Sequence, residues 1–271
     1  MIRARKRFGQ HFLHDPAIIA RIVAAVGLKP GDAAVEIGPG QGALTSRLLA
    51  AAGQLDAIEI DRDLAAVLRT RFAAEPHWVL HEADALKMDW QALARARGAR
   101  LRVIGNLPYN ISTPLLFRLL AAGDAIFDMH FMLQKEVVDR IVAAPGSAAY
   151  GRLTVMLAPR VVATRLLEVG AGAFRPAPKV SSAVVRLAVI DSAPDWARAP
   201  LYGEVVTAAF GQRRKTLRNA LRQYLAAETI QALGIDPGAR AETLAPLQFG
   251  ALAHAAGAAR AASHDPLSLG Q

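Results

Sequence analysis

The sequence predicts an α/β protein, with a helix-covered parallel sheet over residues 1–190 and a small all-helical domain over residues 191–271. Three observations carry this prediction. Short β-branched or apolar runs alternate with helical stretches from about residue 15 to 140, a glycine-rich strand-turn-helix segment lies early in that alternation, and beyond residue 201 the chain is rich in Ala and Leu without a convincing strand.

The first helix is legible from its ends. Asp15 suits the N-cap, Pro16 the first helical position and Gly27 a left-handed residue past the C-terminus, while Ile18, Ile19, Ile22, Val23 and Val26 make one apolar face. Strands are expected at Ala33–Ile37, 55–60, 78–81, 101–105 and 126–133, with helices near 43–52, 63–74 and 113–122. Ala143-Ala144-Pro145-Gly146-Ser147 breaks this rhythm, and two further strands, Val161–Val169 and 183–189, flank a Gly/Pro-rich loop as a closing hairpin-like pair. Asp191-Ser192-Ala193-Pro194-Asp195 reads as a linker and 201–262 as the helical domain.

Composition narrows the chemistry. With 32 Lys and Arg against 23 Asp and Glu, the net charge is +9 and the isoelectric point about 10.4, which points to a polyanionic partner. A chain without cysteine holds no disulfide, Cys-ligated zinc, iron–sulfur cluster or thiol nucleophile. His14, His77, His81, His130, His254 and His264 show no metal spacing, so no metal is expected. Mean hydropathy is +0.23, yet no uncharged apolar stretch nears the roughly 18 residues of a membrane span. The basic N-terminus runs into Phe8-Gly9-Gln10-His11 with no apolar core of a signal peptide, and a soluble cytoplasmic protein is expected.

The cofactor signal is Val35-Glu36-Ile37-Gly38-Pro39-Gly40-Gln41-Gly42, a strand that ends in a glycine turn and opens a helix. Glycines are needed where a ligand lies against the backbone and a Cβ would intrude. The next strand ends near Glu59, whose carboxylate can accept both ribose hydroxyls of an adenosine, and the third is followed by Asp84, beside where an adenine amine would sit. A dinucleotide fingerprint has Gly or Ala at position 43, and Ala43 leaves that reading open. Glu36 inside the strand and the Gly-x-Gly-x-Gly spacing favour S-adenosylmethionine.

The fourth strand runs into Asn106-Leu107-Pro108-Tyr109. An aromatic exocyclic amine is a poor nucleophile because its lone pair is delocalised into the ring. The Asn106 amide oxygen and the Leu107 carbonyl can accept its two N–H bonds and direct the lone pair at a methyl donor, Pro108 stiffens the turn, and Tyr109 stacks on the base. A plain strand-to-helix turn in which Asn caps and Pro shapes is the competing reading.

Taken together, Phe8–Leu13, Glu36–Thr45, Asn106–Asn110, the loop Phe174-Arg175-Pro176-Ala177-Pro178-Lys179-Val180-Ser181-Ser182 and Phe210–Asn219 resemble the ribosomal small-subunit RNA adenine dimethyltransferase family, whose bacterial member confers kasugamycin sensitivity. The resemblance spans residues 5 to about 220. It implies a Rossmann-like S-adenosylmethionine-dependent methyltransferase sheet with a small C-terminal helical domain. It also implies dimethylation at N6 of two adjacent adenosines in a 3′-terminal hairpin loop of small-subunit ribosomal RNA within an assembling particle. By the same resemblance His11, Leu13, Gly38, Glu59, Asp84 and Asn106 fall on cofactor positions, to which the glycine turn adds Gly40, and Tyr109 and Phe174 on the positions that sandwich the extruded base.

Two basic clusters suit phosphate contact: the arm Arg3, Arg5, Lys6 and Arg7, and the group Arg213, Arg214, Lys215, Arg218 and Arg222, expected as a stripe on one helix. Lys179 is expected to join them. Arg95, Arg97, Arg100 and Arg102 surround a strand start and read as surface or RNA-rim residues. Three classes remain open at this point. They are the small-subunit RNA dimethyltransferase with its macrolide-resistance relatives on large-subunit RNA, a non-enzymatic ribosome-assembly factor, and a nicotinamide-dependent oxidoreductase. A monomer is expected.

Overall fold

In the computed structural model of the chain, residues 11–108, 111–212 and 214–262 are described. They divide into two compact units, one running to Val138 and resuming over Val162–Val189, the other formed by Asp139–Val161 and the chain from Ile190 onward. Residues 139–161, expected in the first domain, thus pack with the helical unit. Tyr150 and Val155 are the reason, since both are buried in the apolar core of that unit.

In the first unit, β1 (Phe12–Leu13) precedes α1 (Pro16–Val26), β2 (Ala33–Ile37), α2 (Thr45–Ala52), β3 (Leu55–Glu59), α3 (Arg62–Arg71), β4 (Trp78–Glu82), α4 (Trp90–Arg97), β5 (Leu101–Asn106), α5 (Ser112–Ala121) and β6 (Ile126–Gln134), and α6 (Lys135–Ile141) begins in it. Asp15 caps α1 by accepting from the amides of Ala17 and Ile18, and Gly27 ends it at φ 60°, as its sequence predicts. The helix α4 is an element that the sequence pattern did not reveal. Only Trp90 and Leu93 are buried on it, too few for an apolar stripe.

The seven-stranded sheet has the order β4-β3-β2-β5-β6-β9-β7, where β7 is Val161–Val169 and β9 Ser182–Val189. Strands β2 to β6 pair in parallel and β9 is antiparallel to β6, so the two late strands close the sheet side by side. The order reverses at β2, which has β3 on one side and β5 on the other. Ligands of open α/β sheets bind beyond the carboxyl ends of strands at such a point. Gly105 of β5 pairs with Ile37 of β2, and a Cβ there would come within 2.8 Å of the Ile37 carbonyl oxygen, so glycine permits the two strands to run this close.

Several charged groups inside this unit are paired. Arg102, 9% exposed, donates to both oxygens of Asp128 at 3.0 and 2.9 Å, to Asp32 at 2.8 Å and to the carbonyls of Val26 and Gly27. Arg97 forks onto Asp56 at 2.6 and 2.7 Å, and His81 meets the same carboxylate at 2.7 Å. These two arginines therefore hold the sheet rather than lining an RNA rim. The expectation failed because an arginine in a strand, like Arg102, or at the end of a covering helix, like Arg97, can be drawn inward by carboxylates remote in sequence.

His130 in β6 is 2% exposed, and neither ring nitrogen has a hydrogen-bond partner among the described residues. Burial, outweighing the pull of Asp128 and aided by Arg102 and Arg186, pushes its pKa from 6.5 down to about 4. A neutral histidine in the fold means that the unfolded chain takes up a proton below pH 6.5 that the folded chain refuses. Stability is therefore full above that pH and falls by roughly 3 kcal/mol as pH drops towards 4. Urea titrations at pH 7 and pH 5 should show about 2 kcal/mol of this loss in the parent and a shallower pH slope in His130→Leu. An equal slope in both would assign the effect elsewhere.

The second unit holds α7 (Arg152–Leu157), α8 (Tyr202–Phe210), α9 (Leu217–Ala220), α10 (Ala227–Ala232) and α11 (Pro246–Ala262), and no strand among its described residues from Ile190 on. Val205, Val206, Leu217, Leu221, Phe249 and Leu252 are fully buried together, and Phe210 stacks on Phe249 with centroids 5.5 Å apart. Tyr150 and Tyr202 satisfy their hydroxyls on the carbonyls of Leu244 and Val155. No helix among the described residues is long and apolar enough to cross a membrane.

Candidate active site

A cavity of about 370 Å3 opens beyond the carboxyl ends of β2, β3, β4 and β5. Its walls include His11, Leu13, Gly38, Gly40, Glu59, Asp84, Asn106, Leu107 and Pro108, so the structure brings together ten residues of the expected site when Glu36 is counted with them. That volume is within the range of small-molecule pockets. The glycine turn leaves β2 with Gly38, Gly40 and Gly42 at φ 65°, 60° and 78°, a region that only glycine enters without strain. A Cβ on Gly40 would lie 3.2 Å from the Phe12 ring, which shows how tightly the β1 segment is laid against the turn. Arg71 of α3 braces the turn from outside by donating to the Gln41 carbonyl.

Two buried carboxylates line this cavity. Glu59 ends β3, and its oxygens accept from the Gly40 amide at 3.3 Å and the Asp61 amide at 2.9 Å, which ties the glycine turn to the neighbouring strand. Burial raises its pKa against those two hydrogen bonds. Glu36 is fully enclosed in β2 and accepts from the Thr45 hydroxyl at 2.6 Å. Desolvation first, and the nearby Glu59 charge as well, raise its pKa to about 7 despite that bond. A cavity with two such acids favours a cationic occupant, whose charge would draw both pKa values down. Asp84 accepts from the Leu86 amide at 3.0 Å through one oxygen and starts a short 3-10 turn, Ala85–Lys87, on the cavity wall.

On the other side stands the turn after β5. Asn106 Nδ2 donates to the His11 carbonyl at 3.0 Å, and the Leu107 amide donates to the Met132 carbonyl at 3.2 Å. The Pro108 carbonyl accepts from Ile111 and leads into α5. The Asn106 side chain is thus tied by its amino group, and its oxygen is left as an acceptor.

Phe174 is not part of this cavity. It lies in β8 (Phe174–Arg175), pairs with Leu13 and is 3% exposed within the core of the first unit, so in this conformation it offers no face to a base. Its position in a Pro-flanked loop suggested otherwise, but the two-residue pairing with β1 turns the ring inward. The basic stripe is also corrected. Arg214 and Lys215 lie in a turn, α9 spans four residues, and Arg222 follows it, because the Leu217 and Arg218 amides donate to the Ala239 and Pro237 carbonyls rather than continuing a helix backward. Arg214, Lys215, Arg218 and Arg222 are exposed, as is Lys179 on the loop after β8. Arg5, Lys6, Arg7, Tyr109 and Arg213 lie outside the described residues.

Sequence reasoning missed Phe12, Ile60, Leu86 and Ile111, which also line the cavity. Ile60, directly after Glu59, carried the clearest signal: an apolar residue beyond a strand end, which the described residues leave 51% exposed.

A family model described as ribosomal RNA adenine dimethylase matches residues 1–256. A protein of Methylococcus capsulatus named ribosomal RNA small subunit methyltransferase A is 57% identical over 240 residues, which cover 89% of this chain and 93% of that one. Its namesake from Pseudomonas aeruginosa is 51% identical over 253 residues, 93% and 94% of the two chains. Among solved structures, a dimethyladenosine transferase from Plasmodium falciparum superimposes with a TM-score of 0.77 at 25% identity over 89% of this chain and 96% of that one. The 23S ribosomal RNA methyltransferase ErmE gives 0.70 at 26%, over 90% and 98%. A match that takes in the glycine turn, the Asn106 turn and nearly the whole of both units leaves one assignment: the chain belongs to the ribosomal RNA adenine dimethylase family.

Proposed function

We propose that this enzyme transfers methyl groups from S-adenosylmethionine to N6 of two adjacent adenosines in a 3′-terminal hairpin loop of small-subunit ribosomal RNA, dimethylating each. The observation that carries the reading is the Asn106 turn standing on the same cavity as the glycine turn, a consequence of β5 lying beside β2. The cavity's residues fit the cofactor: a cradle that Cβ atoms would fill, two buried carboxylates suited to a cation, Glu59 for the ribose hydroxyls, and Asp84 for the adenine amine. When bound, S-adenosylmethionine supplies an electrophilic methyl on a positively charged sulfur.

The chain's own part is positioning. Asn106 Oδ1 and the Leu107 carbonyl take the two N–H bonds of the target amine, so that its lone pair leaves the ring plane towards the methyl donor. An extruded base is needed to reach them, and Tyr109 is the stacking partner in this reading. Arg5, Lys6, Arg7, Lys179, Arg213, Arg214, Lys215, Arg218 and Arg222 would contact phosphates, which suits a substrate recognised by shape more than by base edges. The setting is an assembling small subunit in the cytoplasm, with the enzyme acting as a monomer. Relatives named for the small subunit at more than half identity support that choice of RNA. The likeness to ErmE supports large-subunit RNA as the second reading.

Labelled methyl from S-adenosylmethionine, offered to undermethylated small and large subunits and followed by nucleoside analysis, tests the proposal. The expected product is N6,N6-dimethyladenosine at two neighbouring positions of small-subunit RNA. Label confined to large-subunit RNA, or on another base, would overturn it.

A further inference from the structure

We infer that His11 is a positioning residue for methyl transfer, holding the Asn106 carboxamide so that its oxygen rather than its amino group faces the cavity. This deepens the function proposed above and rests on it.

A carboxamide can be turned by half a rotation with almost no change of shape, yet the two orientations are chemically opposite at an amine. The target N6 group is a donor, so Oδ1 towards it accepts, whereas Nδ2 towards it repels. Something outside the side chain has to choose. The His11 carbonyl, 3.0 Å from Asn106 Nδ2, does so, because the turned amide would set two oxygens face to face at that distance.

The His11 carbonyl is itself held from one side. Strand β1 has only two residues, paired as Phe12 with Arg175 and Leu13 with Phe174, and residue 11 lies just outside this ladder. Next along the register comes Pro176, opposite His11 at a non-hydrogen-bonded position of the antiparallel pair, since the His14 amide on the Ala173 carbonyl marks the alternate positions as the bonded ones; the His11 carbonyl therefore points away from β8, to the side from which Asn106 donates to it. Pro176 accepts from the His11 ring: Nδ1 lies 2.7 Å from its carbonyl oxygen, and since that oxygen can only accept, Nδ1 carries the proton. The ring thereby anchors the peptide whose carbonyl fixes Asn106. A chain of contacts runs from the Pro176 loop through residue 11 to the acceptor of the target amine.

The test is a double-mutant cycle with His11→Ala, Asn106→Ala and the pair, together with His11→Asn. Each is assayed for kcat on undermethylated small subunits, for cofactor Kd by calorimetry and for RNA Kd. In the parent background His11→Ala is expected to lower kcat at saturating cofactor about 10- to 100-fold, the cost of a misplaced reacting group, with the RNA Kd nearly unchanged. In the Asn106→Ala background the same change should cost less than about twofold, because nothing remains to be oriented. His11→Asn, whose amide can reach the Pro176 carbonyl, should recover most of the rate, and it keeps the test valid if the alanine variant folds poorly. An equal loss from His11→Ala in both backgrounds, a loss that saturating cofactor fully restores, or no recovery with His11→Asn would overturn the inference. Failure of the parent enzyme itself to yield N6,N6-dimethyladenosine would instead refute the functional reading.

Discussion

Replacing Asn106 by alanine should lower kcat for methyl transfer by about 10²–10³-fold, the usual loss when one preorganised hydrogen-bonding group is removed from a reacting centre. The side chain's amino group is spent on the His11 carbonyl, so its oxygen is the part that meets the amine. Alanine keeps the backbone turn, since the Leu107 amide remains bound to Met132 and Pro108 still leads into α5. RNA affinity, set mainly by phosphate contacts, should stay within about threefold. Single-turnover transfer and a filter-binding titration separate the two quantities. A variant that transfers at the normal rate but binds RNA poorly would show that Asn106 serves docking and not the amine. Asn106→Asp is informative beside it: the carboxylate keeps an acceptor but faces the His11 carbonyl with a second oxygen, so it should not rescue the rate.

The second large effect is expected at Glu59. Its carboxylate binds the Gly40 and Asp61 amides and has lone pairs left for two ribose hydroxyls. Charge-assisted hydrogen bonds contribute about 1.5–3 kcal/mol each, so Glu59→Ala should weaken cofactor binding by about 10²-fold or more. Part of the loss arises in the free enzyme, where the half-buried Gly40 and buried Asp61 amides lose their acceptor and the glycine turn loses its tie to β3. Glu59→Gln keeps one acceptor oxygen and should lose less, about 10-fold. Calorimetric titration of both variants decides the matter. Affinities within twofold of the parent would remove Glu59 from the ribose site.

Much of this site could be read in advance because it is local. Gly38, Gly40, Glu59, Asp84 and Asn106 each sit at the end of a strand whose pattern is plain, and parallel strands in one sheet bring their ends to one edge. The same logic failed for features that depend on distant partners. Phe174 looked like a loop aromatic until β8 paired with β1 and buried it. Arg97 and Arg102 looked like a solvated rim until Asp56, Asp128 and Asp32 took their guanidinium groups. The Arg213–Asn219 segment looked helical until the 237–239 loop claimed its amides.

Periodicity, caps and glycine spacing by themselves determined the sheet, its helical cover and the crevice where a nucleoside cofactor belongs, because those signals act between residues close in the chain. Tertiary structure alone decided which way the Asn106 amide points, that the segment 139–161 joins the helical unit, and which arginines leave the surface. Each of those outcomes is a choice among partners far apart in sequence. The choice is made by burial and hydrogen-bond geometry that exist only once the chain has folded.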